Sequence, residues 1–312
     1  VFVQYGMLSD EKFYERAVKF DLLTDLDGKY FTLEEYRTLT ESEQTDKDGQ
    51  LVWLYTNDKE GQYSAIERAK EKGYSVLVLD GPLDVHAISQ LEQKLEKTRF
   101  VRVDSDSIAK LIVKDEAKES HLSAEEQKTL SEIFKARLPK DEKRNYSVVF
   151  EALGAEADAV LITQGEFMRR MQEMARLQPG MNFYGDLPEG YNVVLNTDHA
   201  LLSRLLSSEK SEIEPKLQSL RTELAEQTKL VEDARSAQSA KKPEEVTATE
   251  REELSALAAK QAEIEGKINA ELRAFGDREP LVGQLVDLAL LGSGLLTGEA
   301  LAAFIRRSQQ LL

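Results

Sequence analysis

The stretch LVWLYTNDKEGQYSAIERAKEKGYSVLVLDGPLDVHAISQLEQKLEKTRFVRVDSD, Leu51 to Asp106, decides the fold. Leu51 to Tyr55 is a short β-rich run, and Gly61 to Lys72 reads as a helix that ends at Gly73. Tyr74 to Leu79 is a second apolar strand, Asp84 opens a helix reaching about Glu96, and Phe100 to Val103 is a third strand. Strands apolar on both faces and separated by helices predict a small parallel sheet covered on both sides, an αβα sandwich. The crossover rule makes each connection right-handed.

Upstream, Ser9 and Asp10 open a helix with Phe13, Tyr14, Ala17, Val18 and Phe20 on its apolar face, and Thr32 with Glu35 spells a capping box. Downstream, the charged run Lys114 to Leu122 marks a linker. The chain then divides into residues 1–113 and 123–312. In the second part a helix runs from Ser123 to Leu138 and stops at Pro139. Tyr146 to Leu153 and Ala159 to Thr163 read as a hairpin, Gln164 to Leu177 as a helix and Tyr191 to Leu195 as a strand, with Asn196 to Asp198 capping the next helix. The fold class is therefore α/β followed by α+β.

From Ser211 to Phe275 apolar positions recur at spacings of four and three, at Ile213, Leu217, Leu220, Leu224 and Val231, and again at Leu254, Leu257, Ile264, Ile268 and Phe275. Folding the segment about Glu244 sets Leu224 against Ile264, Leu220 against Ile268 and Val231 against Leu257. Gln227 then falls opposite Gln261, and polar residues at matched core positions fix register at some cost in stability. The pattern predicts an antiparallel coiled-coil hairpin over 211–275, roughly 40 Å long at ~1.5 Å per residue. Two further helices follow, the first starting at Pro280 and the second capped by Thr297. Apolar residues include Leu281, Leu285, Leu288, Leu291, Leu295, Leu296, Leu301, Phe304 and Ile305, with Val282, Val286, Leu290 and Ala303 on other sides. They predict packing either on the rest of their own domain or, the sharper reading, on a second copy of the chain.

Composition narrows the function. A net charge of −16 over 312 residues argues against nucleic acid and anionic membranes as partners. The absence of cysteine removes disulfides, thiolate zinc sites and cysteine nucleophiles, and fits a cytoplasmic protein. The first residues show no signal peptide, and a start at Val1 reads as a piece of a longer chain. The apolar run Leu281 to Ile305 contains Asp287 and Glu299, each costing roughly 3 kcal/mol at a bilayer centre, so it reads as a buried helical segment.

Catalytic signatures are scarce. There is no GxGxxG, P-loop or GxSxG, and His86, His121 and His199 lack neighbouring ligands at metal spacing. Asp80, Asp104 and Asp106 lie at the ends of parallel strands, where α/β active sites gather. Helix capping by Asp84, Asp104 and Asp106 is the plainer expectation. The segment Thr163 to Tyr191 holds four of the five methionines, Met168, Met171, Met174 and Met181, followed by Phe183 and Tyr184. On a helix from Gln164, Phe167, Met171 and Met174 share a stripe with Met168 beside it, while Arg169 and Arg170 face elsewhere. Such a stripe is either core or an adaptable binding surface, since methionine is flexible and polarisable.

KYFTLEEY (Lys29 to Tyr36), Leu51 to Asp84 and FVRVDSD (Phe100 to Asp106) resemble the heat-shock protein 90 chaperones, in their bacterial form. So do the methionine segment, LNTDHALL (Leu195 to Leu202) and LVDLALLGSGLLTGEALAAFIRRS (Leu285 to Ser308). The resemblance implies the end of a middle domain followed by a C-terminal dimerisation domain. It further implies a homodimer that binds non-native client proteins through Phe167, Met168, Met171, Met174, Met181, Phe183 and Tyr184. ATP and magnesium would be handled by an N-terminal domain preceding this chain, leaving the chain with neither cofactor nor catalytic residues. The SQQLL terminus lacks the acidic motif by which eukaryotic cytosolic relatives recruit co-chaperones, and the long hairpin departs from compact members. Two rival readings are a coiled-coil adaptor binding through 211–275, and a metal-dependent phosphoryl-transfer enzyme using Asp80 and Asp104.

Overall fold

A computed structural model describes residues 2–114, 120–167, 169–171, 188–242 and 245–309. Helices α1 (Phe2–Ser9) and α2 (Glu11–Ala17) lead into an antiparallel ribbon of β1 (Leu22–Thr24) and β2 (Tyr30–Thr32). The expected capping box starts α3 (Leu33–Gln44): Glu35 N donates to Thr32 Oγ1, and the Glu35 carboxylate accepts from Thr32 N at 2.8 Å. The quoted stretch then forms β3 (Leu51–Thr56), α4 (Tyr63–Glu71), β4 (Val76–Val78), α5 (Asp84–Lys94) and β5 (Thr98–Arg102).

These three strands make a wholly parallel sheet in the order β4-β3-β5. All six residues of β3 are buried. Because strand side chains alternate, Leu51, Trp53 and Tyr55 enter one core with Tyr36, Leu77 and Phe100, while Val52 and Leu54 enter the other with Ile66, Ala69 and Val101. Trp53 sits edge-on between Tyr36 and Phe100, with centroids 5.3 and 5.2 Å away, and its indole N–H donates to Thr40 Oγ1 at 3.0 Å. Gly73 takes a φ of +75°, which releases the chain from α4 into β4.

After the short α6 (Ile108–Leu111), α7 (Ala124–Lys135) opens with a capping box of Ser123 and Glu126. A second sheet combines β6 (Arg144–Glu151), β7 (Val160–Thr163) and β8 (Glu189–Asn196). Here the expected hairpin is corrected. The order is β6-β8-β7, with β8 parallel to β6 and antiparallel to β7, so β6 and β7 do not pair. Val193, Val194 and Leu195 are almost fully buried, and a strand apolar on both faces takes the centre, where both edges are hydrogen-bonded.

The remaining helices are α8 (Ala200–Glu212), α9 (Glu214–Ser239), α10 (Ala248–Arg278), α11 (Pro280–Gly292) and α12 (Gly298–Gln309). His199, rather than Asn196 or Asp198, caps α8, its Nδ1 accepting from Leu201 N at 3.2 Å. The Asn196 amide is already committed to the turn after β6, donating to Gly154 O and accepting from Leu153 N. Helices α9 and α10 run antiparallel: Gln227 donates to Leu257 O at 2.9 Å and Gln238 to Glu250 O at 2.5 Å. Gln261 reaches Thr228 Oγ1 at 3.1 Å, so the two glutamines expected opposite one another each have a separate partner.

By compactness the chain falls into two units. One comprises 1–120, 139–198 and 287–312, and the other 121–138 and 199–286. In the second unit, α7 packs on α10 so closely that a Cβ at Gly276 would lie 2.2 Å from Ile133 O.

Candidate functional site

The methionine segment begins just after β7. Its described helical residues are 166, 167 and 169–171, with Arg169 N donating to Gly165 O. Met168, Met174, Met181, Phe183 and Tyr184 lie outside the described residues. Phe167 is 74% exposed, behind only Phe2 and Phe20 among the described aromatic residues, and Met171 is half-buried.

The opposite side of this turn is ionic and buried. Glu166 accepts from Arg169 at 2.6 Å and Arg170 at 2.5 Å, the three- and four-residue spacings at which helix side chains meet. Arg169 also donates to the Tyr55 hydroxyl at 2.7 Å and lies over the Tyr55 ring, while that hydroxyl donates to Glu166 at 3.2 Å. Arg170 forks onto both carboxylate oxygens of Glu92 and donates to Phe100 O.

Sheet geometry explains why these partners converge. β5 ends the order β4-β3-β5, so one side of its backbone has no strand neighbour among the described residues. Phe100 N donates to Glu92, Phe100 O accepts from Arg170, and Arg102 N donates to the second oxygen of Glu166. Side chains thus occupy the polar groups that would otherwise offer an open strand edge. Arg102 continues the network to Gln164 Oε1 at 3.0 Å and to Asp104 at 2.5 and 2.9 Å.

Burial alone would raise the Glu166 carboxyl, but the two arginines more than offset it and hold the group below its ordinary range. Burial, aided by the Glu166 charge, pushes the Tyr55 hydroxyl up to about 12, so it remains a neutral donor. This arrangement fixes a charged anchor beside an exposed phenyl ring; it holds no nucleophile–base pair.

The strand-end aspartates differ in their surroundings. Asp104 is held by Arg102 and Gln62, and Asp80 is exposed. Neither Asp104 nor Asp106 caps a helix: Ser107 holds the N-cap of α6, and Asp106 accepts from Ser107 N. Asp84 is likewise inside the first turn of α5, accepting from Gly81 N, while Leu83 occupies the cap position. No group of three or more His, Cys, Asp or Glu able to hold a metal occurs among the described residues.

The closing helices split their apolar residues. Val282, Val286 and Leu290 are buried, as are Leu285, Leu296 and Phe304. Leu281, Leu295 and Leu301 are half-buried, whereas Leu288, Leu291 and Ile305 are exposed at 48, 42 and 48%. Arg307 pairs with Asp287 between the two helices. No helix among the described residues is long and apolar enough to cross a membrane.

Relatives agree with the motifs. A chaperone protein HtpG of Porphyromonas gingivalis is 59% identical over 316 residues, covering all of this chain and 46% of its own length. One from Bacteroides fragilis is 47% identical, again over the whole chain. The chain belongs to the HtpG chaperones, of the heat-shock protein 90 family. It spans about half the length of these HtpG relatives. An endoplasmin homologue of Dictyostelium discoideum is 24% identical over 66% of the chain and 26% of that protein. No protein-family model matches. A solved middle domain of a Plasmodium falciparum heat shock protein shares 18% identity over 34% of this chain and 44% of that one, with a TM-score of 0.27 too low to support an argument.

The ionic anchor on Arg169 and Arg170 was not foreseen from the sequence. The Glu166–Arg169–Arg170 spacing was a visible signal of mutual pairing; the distant partners Tyr55, Glu92 and Phe100 were not.

Proposed function

We propose that this chain is the client-holding and self-associating portion of an ATP-dependent HtpG chaperone. The observation that carries the client reading is Phe167: a large aromatic left 74% exposed on a turn whose opposite side is locked to the sheet edge. An apolar side chain presented on a fixed base suits exposed apolar segments of non-native proteins. Met171 extends that surface, and Met168, Met174, Met181, Phe183 and Tyr184 would continue it. Nucleotide and magnesium would act in a separate part of the full-length protein, which we place in the cytoplasm.

Self-association would use the exposed Leu288, Leu291 and Ile305, reinforced by the half-buried Leu281, Leu295 and Leu301. A second copy would double the client contacts and raise avidity. Helices α9 and α10 we read as an antiparallel coiled coil, and residues 123–312 as the dimerisation domain following the end of a middle domain at 1–113.

Two variants separate these roles. Phe167→Ser should weaken suppression of citrate synthase aggregation severalfold while leaving the mass in solution unchanged. Leu288→Ser with Leu291→Ser should convert a dimer to a monomer by light scattering. Unaltered suppression by the first variant would remove Phe167 from the client surface, and a parent chain that is already monomeric would overturn the dimer.

A further inference from the structure

The ionic cluster under Phe167 is a costly way to attach a helix. Arg169 is 3% exposed, the Arg170 side chain 15%, and the Glu92 and Glu166 side chains 24% each. Two guanidinium groups and two carboxylates removed this far from water lose much of their hydration, and pairing only partly offsets that loss. Apolar packing would fasten a turn to a sheet with less penalty. What the network provides instead is geometric: each group is held by several directional bonds, so the turn has one orientation.

The bonds also connect the turn to three parts of the sheet unit. Tyr55 belongs to the central strand β3, Phe100 and Arg102 to the edge strand β5, and Glu92 to α5. Glu92 reaches both elements, accepting from Phe100 N at 2.6 Å and from Arg170 at 2.7 Å. Gln164 ties the approach to the turn, its N–H donating to Asp104 O and its side-chain oxygen accepting from Arg102. A shift of α5 against β5 would therefore pull on Arg170, and release of Arg170 would uncover the polar edge of β5.

We propose that Glu166, Arg169 and Arg170 form a positioning clamp through which the parallel-sheet unit sets the presentation of Phe167 and Met171 to client proteins. The clamp rests on the client reading above. Arg170 is its key, because only a planar guanidinium can fork onto Glu92 while also serving Glu166 and the Phe100 carbonyl. It acts through the turn and need not touch the client.

The test uses the full 312-residue chain with Arg170→Met, which keeps the apolar stem, and Arg170→Lys, which keeps the charge without the fork. Amide hydrogen exchange reads the anchoring, and suppression of citrate synthase aggregation reads client holding. Arg170→Met should speed exchange of residues 164–171 and of Phe100 and Arg102 by about tenfold or more, leave β3 protected, and weaken holding severalfold. Arg170→Lys should fall between it and the parent. Unchanged exchange at 164–171 would overturn the clamp, and faster exchange with full holding would overturn its effect on presentation. Phe167→Ser is the control for the underlying reading: full holding there would sink the client site, while the exchange results would still decide the anchoring. Should Arg170→Met lose protection throughout β3, Glu92→Gln removes the same bridge more gently and must give the same local pattern.

Discussion

The guanidinium of Arg170 bridges to both carboxylate oxygens of Glu92, at 2.7 and 3.2 Å, across 78 residues of chain. That bridge joins the turn bearing Phe167 to the edge of a sheet formed much earlier in the sequence. Its consequences are measurable in stability as well as in client binding.

The Glu166 carboxyl is held below its ordinary value in the fold, so it stabilises the native state above the unfolded value of about 4.3 and loses that contribution as pH falls through the native one. Glu166→Gln should lower stability by about 2 kcal/mol at pH 7, because both arginines lose a charged partner while keeping others. The gap between parent and variant in thermal unfolding should narrow as pH falls below the unfolded value of about 4.3 and through the lower native one. A gap independent of pH would show that the charge of Glu166 is not what matters.

Trp53 is fully buried and Thr40 Oγ1 is the acceptor for its indole N–H. Thr40→Val preserves shape but strands that donor, with an expected loss of about 1–3 kcal/mol in urea unfolding. Trp53 is the sole tryptophan, so its own emission follows the transition.

Gly276 has no room for a side chain, its Cβ position lying 2.2 Å from Ile133 O in the same unit. Gly276→Ala should force α7 and α10 apart and cost about 2 kcal/mol or more, despite the better helix propensity of alanine. Gly266→Ala on the same helix meets nothing within 4 Å and should instead stabilise slightly. Equal effects at the two sites would show that packing is not the cause.

Register in the proposed coiled coil is open to crosslinking. Leu224→Cys with Ile264→Cys should oxidise to a disulfide within the chain, whereas a partner shifted by seven residues should not. Gln227, 3% exposed and bonded to Leu257 O, helps hold that alignment. Gln227→Leu should raise the melting temperature while permitting some shifted crosslinks.

The sheet at Leu51–Asp106 was legible because Leu51 to Tyr55 runs without a charged or strongly polar residue, as suits a strand covered on both faces. The capping box at Thr32 was legible because its partner Glu35 lies three residues away, and the same spacing at Ser123 and Glu126 was passed over. The pairing of β6 was misread for the opposite reason. Its neighbour β8 lies beyond β7 in sequence, and a short intervening turn imitates a hairpin. Asn196 looked like a cap because its residue type favours one, yet its amide is taken up by the Gly154 turn. The arginines below Phe167 were read only as facing away from the stripe, since helical spacing alone does not reveal that Tyr55, 114 residues away, waits opposite Arg169.

Client holding as proposed requires that this chain distinguish non-native proteins from folded ones. Fluorescence anisotropy of labelled α-lactalbumin tests it directly, comparing the reduced, carboxymethylated and permanently unfolded form with the native form as the chain is titrated in. The expected result is saturable binding of the unfolded form, weakened by Phe167→Ser, and no binding of the native form. Equal binding of both forms, or of neither, by a folded chain would contradict it.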